Sequence, residues 1–257
     1  MRKTALITGA SSGLGMEFAK IYAREGYDLV VVARSEGKLY QLKSELEAQY
    51  GCHVWVFAQD LSRPDAAYEV FNYTLEQNIT IDMLVNNAGF GDFGNFWEVD
   101  AQRQTDLLQV NIVALVQLTR YFLPGMVERR RGRVLNLSSV AVFSAGPRMC
   151  LYYASKEFVR SFSEAIAEEV HGTGVTVTAL CPGPTATGFE QAAQMKNSHM
   201  FSMFKPASAT AVAEAGFRAT QKGKALRYYG WPTHAVNIAA RLLPRSVCRK
   251  FMKKVNG

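Results

Sequence analysis

The first fifteen residues constrain this chain more than any other stretch. Thr4-Ala5-Leu6-Ile7-Thr8 is apolar and rich in strand-forming residues. It runs straight into Gly9-Ala10-Ser11-Ser12-Gly13-Leu14-Gly15, and a helical pattern follows from Met16 to Glu25. Strand, glycine-rich turn and helix in that order is the context in which a dinucleotide phosphate is held. Gly9 lets the chain turn sharply. Gly13 and Gly15 let backbone and helix come close to a pyrophosphate, whose charge suits a helix N-terminus. The spacing is Gly-x3-Gly-x-Gly and not the more familiar Gly-x-Gly-x2-Gly, so Ser11, Ser12 and Leu14 fall inside the cradle. The bland alternative is a plain glycine-rich turn.

The rest of the chain repeats the alternation. Asp28–Ala33 reads as a second strand, Gly37–Tyr50 as a helix and His53–Phe57 as a third strand, with Pro64 placed to open the next helix. Ile81–Val85 is a fourth strand, a long helix is expected from Asp100 to Arg131, and Arg133–Ser139 is a fifth strand. A helix from Tyr152 to His171 and a sixth strand, Val175–Leu180, follow. This rhythm predicts an α/β fold: a Rossmann-type doubly wound parallel sheet of about seven strands with helices on both faces, in one domain over 1–257. Ligands of such sheets sit at the carboxyl ends of the strands. Arg34, Asp60-Leu61, Asn87-Ala88-Gly89, Ser139 and the segment from Pro182 to Thr187 all lie at those ends. An acid ending the second strand would take a ribose 2′-hydroxyl. Arg34 stands there instead, which suits a 2′-phosphate and predicts NADP(H) over NAD(H). Asp28 is at the wrong end to compete, although Arg34 could also be a solvated loop residue.

Tyr152 and Lys156 are four residues apart, on one face of their helix. A free phenol titrates near ~10, and a neighbouring ammonium favours its ionised form, so the pair is a candidate acid/base unit. Alone such a pair is usually coincidence. The Arg129-Arg130-Arg131 run reads as a solvated helix end that offsets the dipole. The aromatic loop Phe90–Trp97 can line a substrate pocket or staple the core.

Composition removes several classes. Cys52, Cys150, Cys181 and Cys248 share no metal or redox spacing, and none of the four histidines falls in a ligand pattern, so no metal site and a reducing, cytoplasmic setting are expected. No run of 18 apolar residues suggests a spanning helix. The net charge of +7 falls to +1 without Arg241, Arg245, Arg249, Lys250, Lys253 and Lys254, so the basic character is a feature of residues 238–257 and no nucleic-acid surface is implied. Ile238, Leu242, Val247, Phe251 and Val255 recur in that tail at roughly helical spacing. The amphipathic helix they imply can dock on the body or on a second subunit, or lie on an anionic membrane as a peripheral contact.

Taken together, Thr8-Gly9-x3-Gly13-x-Gly15, Asn86-Asn87-Ala88-Gly89, Asn111, Ser139, Tyr152-x3-Lys156 and Pro182-Gly183 stand in one order. Over roughly residues 4–190 the chain resembles the short-chain dehydrogenase/reductase family. Arg34 with Lys38-Leu39 and the late Leu-Leu-Pro are similar to its branch of steroid and long-chain ketoacyl reductases. The resemblance implies a hydride transfer between NADP(H) and a carbonyl or secondary alcohol. It makes Tyr152 the acid/base and Lys156 its modulator and a ribose ligand. Ser139 would hold the developing alkoxide, and Asn111 would position a water that passes protons to Lys156. It places Asn87–Gly89 on the adenosine side, Pro182-Gly183 on the nicotinamide, and Thr185 and Thr187 on its amide or the phosphates. It further implies a substrate lid over about 188–204, whose Phe189, Met195, Met200, Phe201, Met203 and Phe204 suit an apolar substrate or equally a helix packed on the body, and a homodimer or homotetramer formed through the helices holding Asn111 and Tyr152. One departure stands out: family members using NADP often carry a basic residue where Ser12 stands. Two rivals remain, a non-catalytic NADP(H)-sensing protein and a membrane-recruited scaffold.

Overall fold

The computed structural model describes residues 2–189, 193, 206–230 and 242–256. Its frame is a parallel sheet of β1 (Thr4–Thr8), β2 (Asp28–Ala33), β3 (Val54–Ala58), β4 (Met83–Asn86), β5 (Gly132–Leu137), β6 (Val175–Pro182) and a later strand, Leu226–Tyr229. A separate two-stranded ladder pairs β7 (Thr185–Ala186) with β8 (Ala207–Ser208), which makes the late strand β9. The spatial order is β3-β2-β1-β4-β5-β6-β9. The chain winds outward from β1 through β2 to β3, then returns to lay β4 on the other side of β1. That reversal opens a crevice at the carboxyl ends of β1 and β4, the place where such sheets take ligands.

Helices α1 (Gly13–Arg24), α2 (Glu36–Tyr50), α3 (Ala66–Glu76), α4 (Ala101–Leu108), α5 (Leu115–Glu128), α6 (Cys150–Glu169) and α7 (Ala209–Gln221) cover the sheet, and α8 (Arg245–Asn256) follows. Successive strand residues point to opposite faces, so β1 feeds two cores. Ala5 and Ile7 join Phe18, Tyr22, Leu39 and Leu46 on one side, and Leu6 joins Leu118, Phe122 and Met126 on the other. Each fully buried aliphatic side chain contributes roughly 1.5–3 kcal/mol.

Several sequence expectations need correction. Pro64 does not open a helix; it lies in a turn, and α3 starts at Ala66 after Asp65. The expected single helix from Asp100 to Arg131 starts at Ala101, ends at Glu128 and is widened to a π turn over Gln109–Ala114, the turn that holds Asn111. A π turn inserts one residue and so shifts the phase of the side chains beyond it, and such turns favour functional sites. By length and hydropathy, Ala101–Glu128 is apolar enough to cross a membrane. It is a core helix here: Leu107, Leu115, Leu118, Phe122 and Met126 are buried. The Arg run is more than a solvated end. Arg131 pairs with the buried Asp82 at 2.6 Å and Arg129 donates to the Ile81 carbonyl at 3.2 Å, fastening the end of α5 to the start of β4.

Candidate active site

A buried polar ladder sets the catalytic helix over the strand ends. Asn86 on β4 donates to Thr119 on α5 (3.1 Å) and to Asn136 on β5 (2.9 Å). Asn136 in turn donates to Ser163 on α6 at 2.9 Å. Asn86 Oδ1 is left buried without a partner, but the three bonds still fix the register of their elements, since sliding α6 would strand the other members as well. Ser138 adds a bond to the Lys156 carbonyl at 2.7 Å. The first turns of α6 therefore stand beside the carboxyl end of β5.

The crevice holds a cleft of about 720 Å³. Its floor is the glycine turn. Gly9 has a φ of +67°, and a β-carbon there would meet Asn87 Nδ2 at 2.9 Å. A β-carbon at Gly15 would overlap the Gly9 carbonyl, so glycine at that position is what lets α1 start against β1. Ser12, the residue before α1, makes no side-chain capping bond, which leaves first-turn amides of α1 available to an anion. Thr8 accepts from the amides of Asn87 and Ala88 (3.0 Å each), locking the two loops across the crevice. Asn87 braces the turn, donating to the Thr8 carbonyl at 2.9 Å. The cradle therefore fits a pyrophosphate dinucleotide.

Gly9, Ser11, Ser12, Gly13 and Leu14 line the cleft, with Asn87, Ala88 and Gly89 facing them. Arg34, Asp60 and Leu61 form the far end, joined by Ser35 and Lys38, which the sequence reading did not assign to the site. Lys38 lies one helical turn beyond Arg34, a spacing that could have flagged it. Arg34 reaches Asp60 in a long pair of 3.9 Å, and its side chain is 76% exposed, so its guanidinium remains open to a ligand. At the other end stand Ser139, Tyr152, Lys156, Pro182, Gly183, Thr185 and Thr187. Thr185 donates to the Gly183 carbonyl (2.8 Å), and Thr187 lies on Gly13, where a β-carbon would meet it at 3.0 Å. Gly15 and Asn111 stand behind the wall.

Asn111 Oδ1 accepts from the Phe90 amide (3.1 Å), and its amide nitrogen donates to the Phe90 carbonyl (3.0 Å) and to Ser155 Oγ (3.1 Å). The side chain thus anchors the loop after β4. It also approaches the lysine: a β-carbon at Gly89 would lie 3.0 Å from Asn111 Oδ1 and 3.3 Å from Lys156 Nζ.

Lys156 is buried, donates to the Leu137 carbonyl at 2.9 Å and sits 5.8 Å from the centre of the Tyr152 ring. Burial pushes its pKa down to about 8. The half-buried Tyr152 is pushed up to about 12 by loss of solvation, partly offset by a hydrogen bond with Ser139. The expected depression of the phenol by Lys156 is absent in this state: desolvation outweighs the ammonium, which faces a carbonyl. At neutral pH the geometry presents a protonated phenol and a serine hydroxyl side by side.

Beyond them lies an apolar cluster of Phe93, Met149, Tyr152, Tyr153, Phe189 and Met252, of which Met149, Tyr152, Tyr153 and Phe189 line the cleft. Phe189 stacks at 5.1 Å from Tyr152. The other named lid residues, Met195, Met200, Phe201, Met203 and Phe204, lie outside the described residues, as do Ile238 and Arg241 of the tail.

A family model described as short chain dehydrogenase matches residues 3–198. The chain belongs to the short-chain dehydrogenase family. Among relatives of this dehydrogenase is a very-long-chain 3-oxoacyl-CoA reductase of Anas platyrhynchos, 30% identical over 97% of this chain and 82% of that one. Another, with the same name, from Pyrenophora tritici-repentis, is 36% identical over 67% of this chain; the match spans about half (52%) of the fungal protein. Of solved structures, a short-chain dehydrogenase from Sphingobium yanoikuyae in complex with NADPH superposes with a TM-score of 0.83 at 29% identity, covering 93% of each chain. A 7β-hydroxysteroid dehydrogenase superposes at 0.88, with 26% identity over 98% of this chain and 96% of that one. The parallel sheet and its crevice are those of the family.

Proposed function

We propose that this short-chain dehydrogenase is an NADPH-preferring oxidoreductase that interconverts a carbonyl and a secondary alcohol on an apolar substrate. The observation that carries the reading is the placement of Ser139, Tyr152 and Lys156 together on the wall of the dinucleotide cleft. Bound there, the nicotinamide supplies or accepts a hydride. Tyr152 gives its proton to the carbonyl oxygen in reduction and recovers one from the alcohol in the reverse direction. Ser139 hydrogen-bonds that oxygen, and the bond strengthens as negative charge develops on it. Lys156 holds the ribose hydroxyls. Asn111 keeps the Phe90 loop in place and positions water toward Lys156.

NADPH preference is supported by Arg34 and Lys38 at the far end of the cleft and by the lack of an acid ending β2. An apolar substrate is supported by the Met149, Tyr153 and Phe189 walls and by the substrates in the relatives' names. The reading includes one domain, a cytoplasmic protein and a homo-oligomer. Val113 in the π turn and Phe158 on α6 are exposed apolar residues on the two helices that would pair. A cofactor sensor without catalysis is the second reading, and the intact Ser139, Tyr152 and Lys156 set speaks against it.

The test is Tyr152→Phe with NADPH oxidation followed over a panel of bulky ketones. A loss of about 10²-fold or more in kcat with NADPH affinity retained is expected. Undiminished turnover removes Tyr152 from its role, and no turnover by the parent enzyme on any ketone favours the sensor.

A further inference from the structure

Helix α8 has three unlike faces. Met252, Val255 and Asn256 turn inward. Asn256 is fully buried; it donates to the Pro147 carbonyl at 2.9 Å and accepts from the Tyr153 hydroxyl at 3.4 Å. Met252 packs in the same apolar cluster as Tyr152 and Phe189. The helix is thus pinned beside the substrate end of the cleft.

A second face carries Val247 and Phe251, one turn apart and about half exposed (48 and 51%), and Leu243, in the bend before the helix, is equally exposed (48%). The remaining arc carries Arg245, Arg249, Lys250, Lys253 and Lys254, with no acid in the helix. Lys250 and Lys254 border the apolar stripe. The loop after β4 adds Phe96 and Trp97, exposed to 57 and 79%. It is fastened to the same strap as α8: the Gly94 amide donates to the Arg148 carbonyl, one residue from the Pro147 that Asn256 grips.

We propose that this face docks on an anionic phospholipid surface, with Leu243, Val247 and Phe251 entering the headgroup boundary and the cations meeting the lipid charge. A helix with an apolar stripe rimmed by Lys and Arg binds such a surface, and exposed Trp favours the same boundary. Charge decides against a second copy of the chain: two such stripes would bring the Lys250 and Lys254 that border each of them face to face. The pinning of α8 gives the docking a consequence. Docking through α8 brings the lipid to the side of the fold where Met252 packs with Tyr152 and Phe189, which shortens the path of a membrane-dissolved substrate to Tyr152. That consequence rests on the oxidoreductase reading; the docking itself does not.

The experiment sediments the full chain with vesicles of phosphatidylglycerol and phosphatidylcholine, and with phosphatidylcholine alone. Two variants accompany it, V247E/F251E and K250E/K254E, neither of which touches the cleft. Binding to the anionic vesicles only, released by salt and weakened by about tenfold or more in both variants, is expected. NADPH binding and small-ketone turnover should stay unchanged in solution. Equal sedimentation of parent and variants, or none by the parent, overturns the proposal. So does a fall in solution mass of V247E/F251E without parental vesicle binding, because the face would then be a subunit contact.

Discussion

Replacing Lys156 with Met tests the electrostatics of the cleft through stability alone. Lys156 is 6% exposed, and burial lowers its pKa from 10.5 to about 8. Below pH 8 both folded and unfolded chains carry the proton, and the fold bears the full cost of burying the charge. Between 8 and 10.5 the folded protein releases the proton while the unfolded chain keeps it, so stability rises with pH. At about 1.4 kcal/mol per tenfold in proton affinity, the full rise is about 3 kcal/mol. Tyr152, Tyr153 and Cys181 titrate nearby, each pushed up to about 12 by burial, and they reduce stability at high pH. Those contributions are shared by K156M and cancel in the difference. Loss of the bond to the Leu137 carbonyl costs K156M roughly 1–3 kcal/mol. That cost does not change with pH. Urea unfolding of both proteins at intervals from pH 7 to 10.5 should show parent minus variant climbing by about 3 kcal/mol across the upper window. A difference that stays flat or falls would show that Lys156 keeps an ordinary pKa in the fold, and the account of Tyr152 as a desolvated phenol beside a desolvated amine would fall with it.

Ser139→Ala should lower kcat about 10²-fold while leaving the NADPH dissociation constant within a few-fold, measured by turnover and by cofactor fluorescence. Replacing Arg34 and Lys38 together (R34A/K38A) should reduce the ratio of kcat/KM with NADPH to that with NADH by about tenfold or more, since each charge-assisted contact to a phosphate contributes roughly 1.5–3 kcal/mol; an unchanged ratio would place the 2′-phosphate elsewhere. Asn256→Ala removes both anchors of α8 and should cost about 1–3 kcal/mol, seen as faster amide exchange along Arg245–Asn256 before global unfolding.

The glycine turn and the strand ends were legible because their demands are local. Only glycine accommodates the contact of Gly15 with the Gly9 carbonyl, and only a strand feeding that turn presents it. Features set by distant partners were not. The π turn at Asn111 exists because one amide must meet both the N–H and the carbonyl of Phe90, 21 residues earlier. Hydrophobic periodicity reports burial and is blind to such a bond. Arg131 looked like a dipole partner because Asp82, its real one, is 49 residues away. Asn256 carries no sequence signal at all: a polar residue beside the end of the chain reads as solvated until Pro147 and Tyr153 fold up around it.

The Tyr152–Lys156 pair shows why spacing is a poor guide to electrostatics. Four residues put two side chains on one helical face, but Lys156 turns its ammonium to the Leu137 carbonyl and Tyr152 turns its hydroxyl to Ser139. Each group then answers first to its own loss of water. Burial raises the phenol and lowers the amine, so both move toward the neutral form. A phenol raised to about 12 is protonated at neutral pH but is a weaker acid than free tyrosine, so it holds its proton more tightly. The cleft in this state therefore carries the proton that reduction needs without releasing it readily, and transfer in either direction is helped by whatever brings the ammonium and the hydroxyl into closer register.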